Sequence, residues 1–349
     1  MSSFLKPLSS VYCLANTFRN NLFDWGVLSQ YDSPLPVISI GNVSMGGSGK
    51  SPFTRYVSSK LLEEGFQPVI LSRGYGGKLK GPHLVQSNDE VLDVGDEAKM
   101  QCDFFGEKIR VVVSRKRVEG ARFIEENNLG NVIVLDDGFQ HRYLARDFNV
   151  VLIDVSNSDC VKDHKEDRVF PSGKLRESFK KALKRVDHIV FVDKALSPSS
   201  SATFELEVSN PCSSFVLSPT YLRDAATGQR QELSSLNGKS VKAACAIAKP
   251  EGFYSLLEQV GAKILKKTTF SDHYNFGPLD YQKLKGTPAE PLVVTEKDAV
   301  KLKKFNLEVG VLLVLELGGS LDVEASFWKD FNSSLVTGFS LGENKTANS

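Results

Sequence analysis

The sequence lacks the features of a membrane-spanning, disulfide-stapled or bulk-charge-driven protein. In 349 residues there is no run of 18 or more apolar residues, so no full transmembrane helix is predicted. The five cysteines, Cys13, Cys102, Cys160, Cys212 and Cys245, are odd in number and form no C-x-x-C pair. That argues against a zinc site and a disulfide framework, and for a reducing compartment. Charge of one sign is also missing. The 43 basic and 42 acidic residues leave a net +1, which gives no overall field for nucleic acid, and no nucleic-acid partner is expected. The first fourteen residues hold Lys6 and an interrupted apolar stretch, without the h-region and cleavage site of a secretory signal or the arginines of a mitochondrial presequence.

What is present reads as an α/β protein of two domains, by length and by the alternation of apolar runs with helical periodicity. Residues 4–28 form an amphipathic helix, broken or continuous, with Leu5, Leu8, Val11, Tyr12, Ala15, Phe18, Leu22 and Phe23 at three- and four-residue spacing. Such a stripe either packs on the main domain or lies on a membrane surface with Lys6 and Arg19 at headgroup level. Strands are expected at Val37–Ile40, Pro68–Leu71, Arg110–Val113, Val132–Leu135, Val150–Ile153 and His188–Val192, with a helix over Thr54–Glu64. Ser197–Ser201 reads as a connection, and Phe204–Val208 with Ser214–Ser218 as a strand pair. A second α/β segment has strands at Val241–Ala246, Lys263–Leu265, Leu292–Thr295 and Val311–Leu315 and a helix at Pro250–Val260. Residues 337–349 are a polar tail, expected to be disordered.

The segment Gly46-Gly47-Ser48-Gly49-Lys50-Ser51 lies between an apolar strand and a helix, the context a phosphate-binding loop requires. Glycines let backbone N–H groups turn inward, and the helix N-terminus adds positive potential. Lys50 would reach the β- and γ-phosphates of a nucleotide and Ser51 would ligate Mg²⁺. Ser44 stands where the common pattern has its first glycine. The strand Asn131–Leu135 ends in Asp136-Asp137-Gly138. Those carboxylates suit a magnesium site beside the loop, and the Asp-Gly pair equally suits a turn. Asp96, in Gly95-Asp96-Glu97, is either an N-cap or a base for an attacking hydroxyl. His273, beside Asp272, is either a surface residue or a histidine tuned by a neighbouring carboxylate.

On these residues and others the chain resembles the tetraacyldisaccharide 4'-kinases (lipid A 4'-kinases) along nearly its whole length. The matching stretches are Phe4–Ser9 with Tyr12; Pro36–Pro52, containing VISIGNVSMGGSGKSP; Ser72–Tyr75; Val94–Glu97; Leu135–His141, LDDGFQH; Arg146-Asp147; Leu175–Glu177; Pro250–Phe253; Phe270–His273; and Thr295–Asp298. The family loop also carries serine at the position of Ser44, and Ser51 keeps the hydroxyl of its usual threonine.

The resemblance implies a P-loop NTPase-like, mostly parallel sheet domain and a smaller α/β domain, joined by a two-stranded linker. The corresponding boundaries are 1–30 for a membrane-docking helix, 31–203 for the kinase domain, 204–238 for the linker region, 239–336 for the smaller domain and 337–349 for the tail. It implies ATP bound by Ser44, Met45, Gly46, Gly47, Ser48, Gly49, Lys50 and Ser51, and Mg²⁺ held by Ser51, Asp136 and Asp137. Asp96 would be the base on a sugar 4'-hydroxyl, with His273 from the second domain as its partner. Tyr75, Glu97, Arg117, Gln140, His141, Arg176 and Glu177 would line the acceptor site, with Arg115 the alternative to Arg117.

The implied acceptor is an acylated disaccharide 1-phosphate at the cytoplasmic face of a bacterial inner membrane. Related plant proteins are mitochondrial, which is the alternative location for a chain of plant origin, although the first residues do not read as a convincing presequence. Two positions depart from the family pattern: Tyr274 replaces a second histidine and Ala98 a proline. The competing readings are a P-loop kinase for another hydroxyl, a nucleotide-switched binding protein, and a structural peripheral membrane protein, which would leave the phosphate loop unexplained.

Overall fold

The computed structural model describes residues 2–194, 206, 208–305, 307–322 and 324–335. The connection at Ser197–Ser201 and the polar tail lie outside them. Among the described residues thirteen strands make one mixed sheet: β1 Val37–Gly41, β2 Pro68–Ser72, β3 His83–Leu84, β4 Arg110–Val113, β5 Val132–Asp136, β6 Phe148–Asp154, β7 His188–Lys194, β8 Cys212–Asp224, β9 Arg230–Glu232, β10 Ser240–Cys245, β11 Lys263–Thr269, β12 Leu292–Thr295 and β13 Leu312–Leu321. The helices are α1 Ser2–Asp24, α2 Lys50–Glu63, α3 Val91–Val94, α4 Asp96–Phe105, α5 Arg117–Glu126, α6 Ser158–Lys165, α7 Phe179–Ala182, α8 Pro250–Gln259, α9 Pro278–Leu284, α10 Glu296–Leu302 and α11 Glu324–Leu335.

Strand order is β11-β10-β12-β13-β8-β7-β6-β1-β5-β2-β4-β3, with β9 on β8. The central strands β1, β2, β5 and β6 are buried at every residue, which is why they read as unbroken apolar runs and not as alternating ones. Helices α2, α4 and α11 cover one face through Phe53, Phe105, Phe327 and Phe331. Helix α5 covers part of the other through Ala121 and Ile124, and Cys160 and Phe179 continue that face towards α1. Each of these Phe and Ile side chains contributes about 1.5–3 kcal/mol by leaving water.

The sequence expectations at the phosphate loop and at the strand pair need correction here. The helix after the phosphate loop starts at Lys50, not Thr54. Pro52 falls in its first turn, where a missing N–H breaks no intrahelical bond. The strand pair is also different. Ser214–Ser218 lies within β8, whose antiparallel partner is β13, pairing Phe215 with Leu321 and Ser218 with Gly318. Leu206 and Val208 belong to no strand, and Phe204 is outside the described residues. The thirteen-residue β8 runs parallel to β7 at one end and antiparallel to β13 along its length, and so joins a P-loop half to a smaller half built on β10–β13.

Helix α1 is continuous, with Pro7 near its start. One face docks: Ser9 Oγ accepts from Ser172 N at 2.9 Å, Tyr12 packs edge-on to Phe170, and Phe23 is buried. The other face leaves Leu8, Val11, Leu14 and Phe18 about 60% exposed.

Candidate active site

The site forms at the C-terminal ends of β1, β5 and β7, where α/β sheets commonly bind ligands. Ile40 of β1 lies in register with Asp136 of β5, so the residues following β1 and the carboxylates ending β5 meet. Gly49 immediately precedes α2 at φ +82°, and Gly46 is at φ +112°, conformations that glycine adopts at low cost. A Cβ on Gly49 would also stand 2.9 Å from Val192 Cγ1 of β7. The loop's entry is pinned where Met45 N–H donates to the Lys174 carbonyl at 2.7 Å and Ser44 bridges to Leu175. Lys50 Nζ donates to Asn42 Oδ1 at 3.3 Å and lies 3.5 Å from Asp137 Oδ1. Ser48 and Ser51 are buried.

The two carboxylates of Asp136-Asp137 sit in opposite surroundings. Asp137 has a left-handed backbone, φ +50°. Burial pushes its carboxyl up, but Lys50 and Arg176 outweigh this and hold it below the usual range; Arg176 contacts both of its oxygens at 3.1 Å. Asp136 is fully enclosed. Burial, then Glu97 and Asp137, push it up to about 7, and its bond from Thr54 Oγ1 is long, 3.4 Å. A buried carboxylate so weakly partnered, with the Ser51 hydroxyl one turn before Thr54 on α2, suits a hard cation with oxygen ligands. The residues therefore fit Mg²⁺.

Asp96 opens α4, and Gly95 is the residue that caps it. The carboxylate bridges the helix start and the smaller half: Oδ1 accepts from Glu97 N at 2.9 Å, while His273 Nδ1 lies 2.8 Å and Lys301 Nζ 3.2 Å from Oδ2. Burial raises the Asp96 carboxyl, but Lys297, Lys301 and His273 more than offset this and hold it below its ordinary range. His273 comes from the smaller half with φ +58°; Asp272 Oδ1 accepts its backbone N–H and Tyr75 lies against its ring at 5.5 Å. Tyr274, in the departing position, packs on Phe270 and Phe276 and donates to Asp280 Oδ2, so its partly buried side chain lies against the core of the smaller half.

Helix α10 supplies residues that the sequence reading left without a role. Thr295 caps it, accepting from Asp298 N at 3.3 Å. Lys297 pairs with Glu97 at 2.6 Å, Lys301 reaches Asp96, and Glu296 pairs with Arg55 of α2. Positions 297 and 301 are one turn apart and share a helix face, a signal available in the sequence.

The expected acceptor residues divide into two groups. Tyr75 is exposed, and a cleft of about 230 Å³ is lined by Arg73, Gly74, Tyr75, Gly76 and Arg115. Arg117 is buried; burial and then Arg73 lower its guanidinium to about 10. His141 is driven down to about 4 by burial and the surrounding arginines. Gln140 Nε2 donates to the Asn42 carbonyl at 2.9 Å and to Glu177 Oε1 at 3.3 Å. Glu177 is turned into the protein, where it pairs with Arg185 and accepts from Asn20 of α1 at 3.1 Å. Asn16 and Arg19 of α1 donate to the carbonyls of Arg176 and Gln140, each at 3.3 Å.

A glycine-rich loop at a helix start, a buried carboxylate suited to a cation and a carboxylate–histidine pair are the components that phosphoryl transfer to a hydroxyl requires. Comparison with known proteins agrees. The family model described as tetraacyldisaccharide-1-P 4'-kinase matches residues 1–336. The tetraacyldisaccharide 4'-kinase of Francisella philomiragia is 36% identical over 315 residues, covering 87% of this chain and 91% of that protein. That of Desulfotalea psychrophila is 34% identical, covering 87% and 88%. The crystal structure of LpxK from Aquifex aeolicus in complex with ATP superposes with a TM-score of 0.80 at 29% identity, covering 95% of this chain and 99% of that one.

Proposed function

The chain belongs to the tetraacyldisaccharide-1-P 4'-kinase family, and we propose that the rim described above is where it transfers the γ-phosphate of ATP to the 4'-hydroxyl of a tetraacyldisaccharide 1-phosphate, giving lipid IVA. The observation that carries this reading is the Asp96–His273 contact at 2.8 Å, which brings a carboxylate and a histidine from the two halves together beside a phosphate loop.

The geometry supports the following roles. Backbone amides around Gly47–Lys50 and the Lys50 ammonium hold the triphosphate. Ser51, Asp136 and Asp137 hold Mg²⁺, which when bound neutralises phosphate charge. Asp96 accepts the hydroxyl proton. Its depressed proton affinity suits late proton transfer: a loose phosphoryl-transfer transition state asks the acceptor oxygen for little negative charge before bond formation. Asp96 thus first orients the hydroxyl, and His273, partly exposed, carries the proton towards solvent. Arg176 and Gln140 line the acceptor side, and Glu177 acts by bracing Gln140.

We assign residues 31–203 to the kinase domain, together with α11, whose Phe327 and Phe331 pack in its core, and residues 239–321 to the smaller domain, with 204–238 in the connecting region. Among the described residues no helix is long and apolar enough to cross a membrane. The exposed stripe of α1 supports peripheral docking at the membrane surface where the acylated acceptor resides, which for this reaction is the cytoplasmic face of the inner membrane. The test is incubation of the purified chain with labelled ATP and the monophosphorylated acceptor. Magnesium-dependent label in the lipid is the expected result. ATP consumption without lipid label would favour a nucleotide switch instead.

A further inference from the structure

Lys194, the last residue of β7, touches the phosphate loop. Its Nζ donates to the Gly47 carbonyl at 2.7 Å and to Asp154 Oδ2 at 2.5 Å. Asp154 ends β6 and is buried, and its other oxygen accepts from Ser156 Oγ at 2.6 Å. The lysine is therefore held in place by a fixed, charge-matched partner and does not simply sweep through solvent.

The contact matters because of the peptide unit it grips. A trans peptide is planar, and its C=O and N–H point in opposite directions. The Gly47 carbonyl and the Ser48 N–H belong to the same unit, so fixing the carbonyl on Lys194 fixes the Ser48 N–H on the opposite side. Side-chain packing cannot do this job here. Gly46 and Gly47 have no side chains, and a Cβ at either would find no atom within 4 Å. A glycine pair in open space is free to rotate its peptides, and a phosphate loop works only when its amides face inward together.

We propose that Lys194 is a positioning residue for the nucleotide: with Asp154 behind it, it locks the Gly47–Ser48 peptide with its N–H facing the phosphates. This rests on the ATP-dependent kinase reading above. It separates the work of two lysines. Lys50 meets the phosphates, whereas Lys194 acts through the loop backbone and spares bound ATP the cost of ordering it.

The test uses the full chain with Lys194→Met and Lys194→Arg, measuring kcat and both KM values under magnesium. The Met variant should raise KM for ATP about 10-fold or more, the loss of a charge-assisted hydrogen bond. KM for the lipid acceptor and kcat at saturating ATP should change by less than about threefold, a margin within the scatter of such contacts. The Arg variant keeps a donor and should recover most of the ATP affinity. An unchanged KM for ATP in the Met variant would overturn the proposal. So would an Arg variant as impaired as Met, or a fall in kcat with KM for ATP untouched. If the wild-type chain itself shows no ATP turnover, the kinase reading fails first, which keeps the two failures distinct.

Discussion

His273 Nδ1 lies 2.8 Å from Asp96 Oδ2, although 177 positions separate the two residues in the chain. Asp96 is fixed at the start of α4, whereas His273 sits on the other half in a left-handed conformation. The pair forms only when the two halves are together. Replacing Asp96 with Asn keeps its shape and removes its proton acceptor. We expect kcat to fall by about 10²–10⁴, with ATP affinity retained, as read by steady-state kinetics and direct nucleotide binding. Near-normal turnover would remove Asp96 from the base role.

Lys301 should help set the acid limb of the rate profile. Asp96 works ionised, and Lys297, Lys301 and His273 together hold it below its ordinary range against the opposite push of burial. In Lys301→Met one of these charges is lost, so Asp96 takes a proton at higher pH than in the wild type. The acid limb of kcat/KM should move upward in pH; an unmoved or lowered limb would contradict this account.

His188 offers a stability test away from the site. Its Nε2 lies 2.5 Å from Ser213 Oγ and its Nδ1 2.9 Å from Asp330 Oδ2 of α11. The order resembles a hydrolytic triad, but Ser213 is only 4% exposed, and the trio ties α11 to the sheet. Burial lowers the histidine below its ordinary value, against the pull of Asp330. The neutral form is thus favoured in the folded state. Its contribution is full above about pH 6.5, the unfolded value, and is lost as pH falls through the lower folded value. The drop in Tm from pH 7.5 to 5.5 should therefore be smaller in His188→Gln than in the wild type. Removing the ring should also cost about 1–3 kcal/mol through the stranded Ser213 hydroxyl.

Gly41 tests the fit of the acidic loop to β1. A Cβ there would stand 2.6 Å from Phe139 Cβ and 2.9 Å from its backbone nitrogen. Gly41→Ala must push the segment after Asp137 outward. A loss of about 1–3 kcal/mol is expected from overpacking, with weaker magnesium-dependent activity, checked by urea unfolding and by magnesium titration of the rate.

The exposed face of α1 should govern lipid contact. Leu8→Ser with Val11→Ser and Leu14→Ser removes apolar area from the free face and leaves Ser9, Tyr12 and Phe23 in place. Sedimentation with anionic vesicles should fall severalfold while Tm stays within about 1–2 °C, as surface changes of under about 0.5 kcal/mol allow. Unchanged sedimentation would argue against this face as the docking surface.

Much of the fold was legible because buried parallel strands announce themselves: β1, β2, β4, β5 and β12 were read within one residue of their bounds. The misreadings fall where burial is partial or pairing is non-local. β11 is mostly exposed, and only Lys263–Leu265 was read from its seven residues. The polar half of β13 and the long reach of β8 give no apolar run, and nothing local says that they pair. The phosphate loop could be read from its glycines and Lys50 together with the strand before it and the helix after it. The joining of Asp96 to His273 could not, and came from resemblance. Lys297 and Lys301 were missed because a lysine-bearing helix usually reads as a solvated face, and only the tertiary structure aims these two at α4.

The docked face of α1 carries a warning for anyone who trims the protein to make it easier to handle. Asn16, Arg19 and Asn20 hold the backbone of Arg176 and Gln140 and the carboxylate of Glu177. A version begun after Asp24 would lose its greasy stripe and, in the same cut, a strut behind the acceptor wall. Poor activity in such a shortened enzyme would say nothing by itself about bilayers.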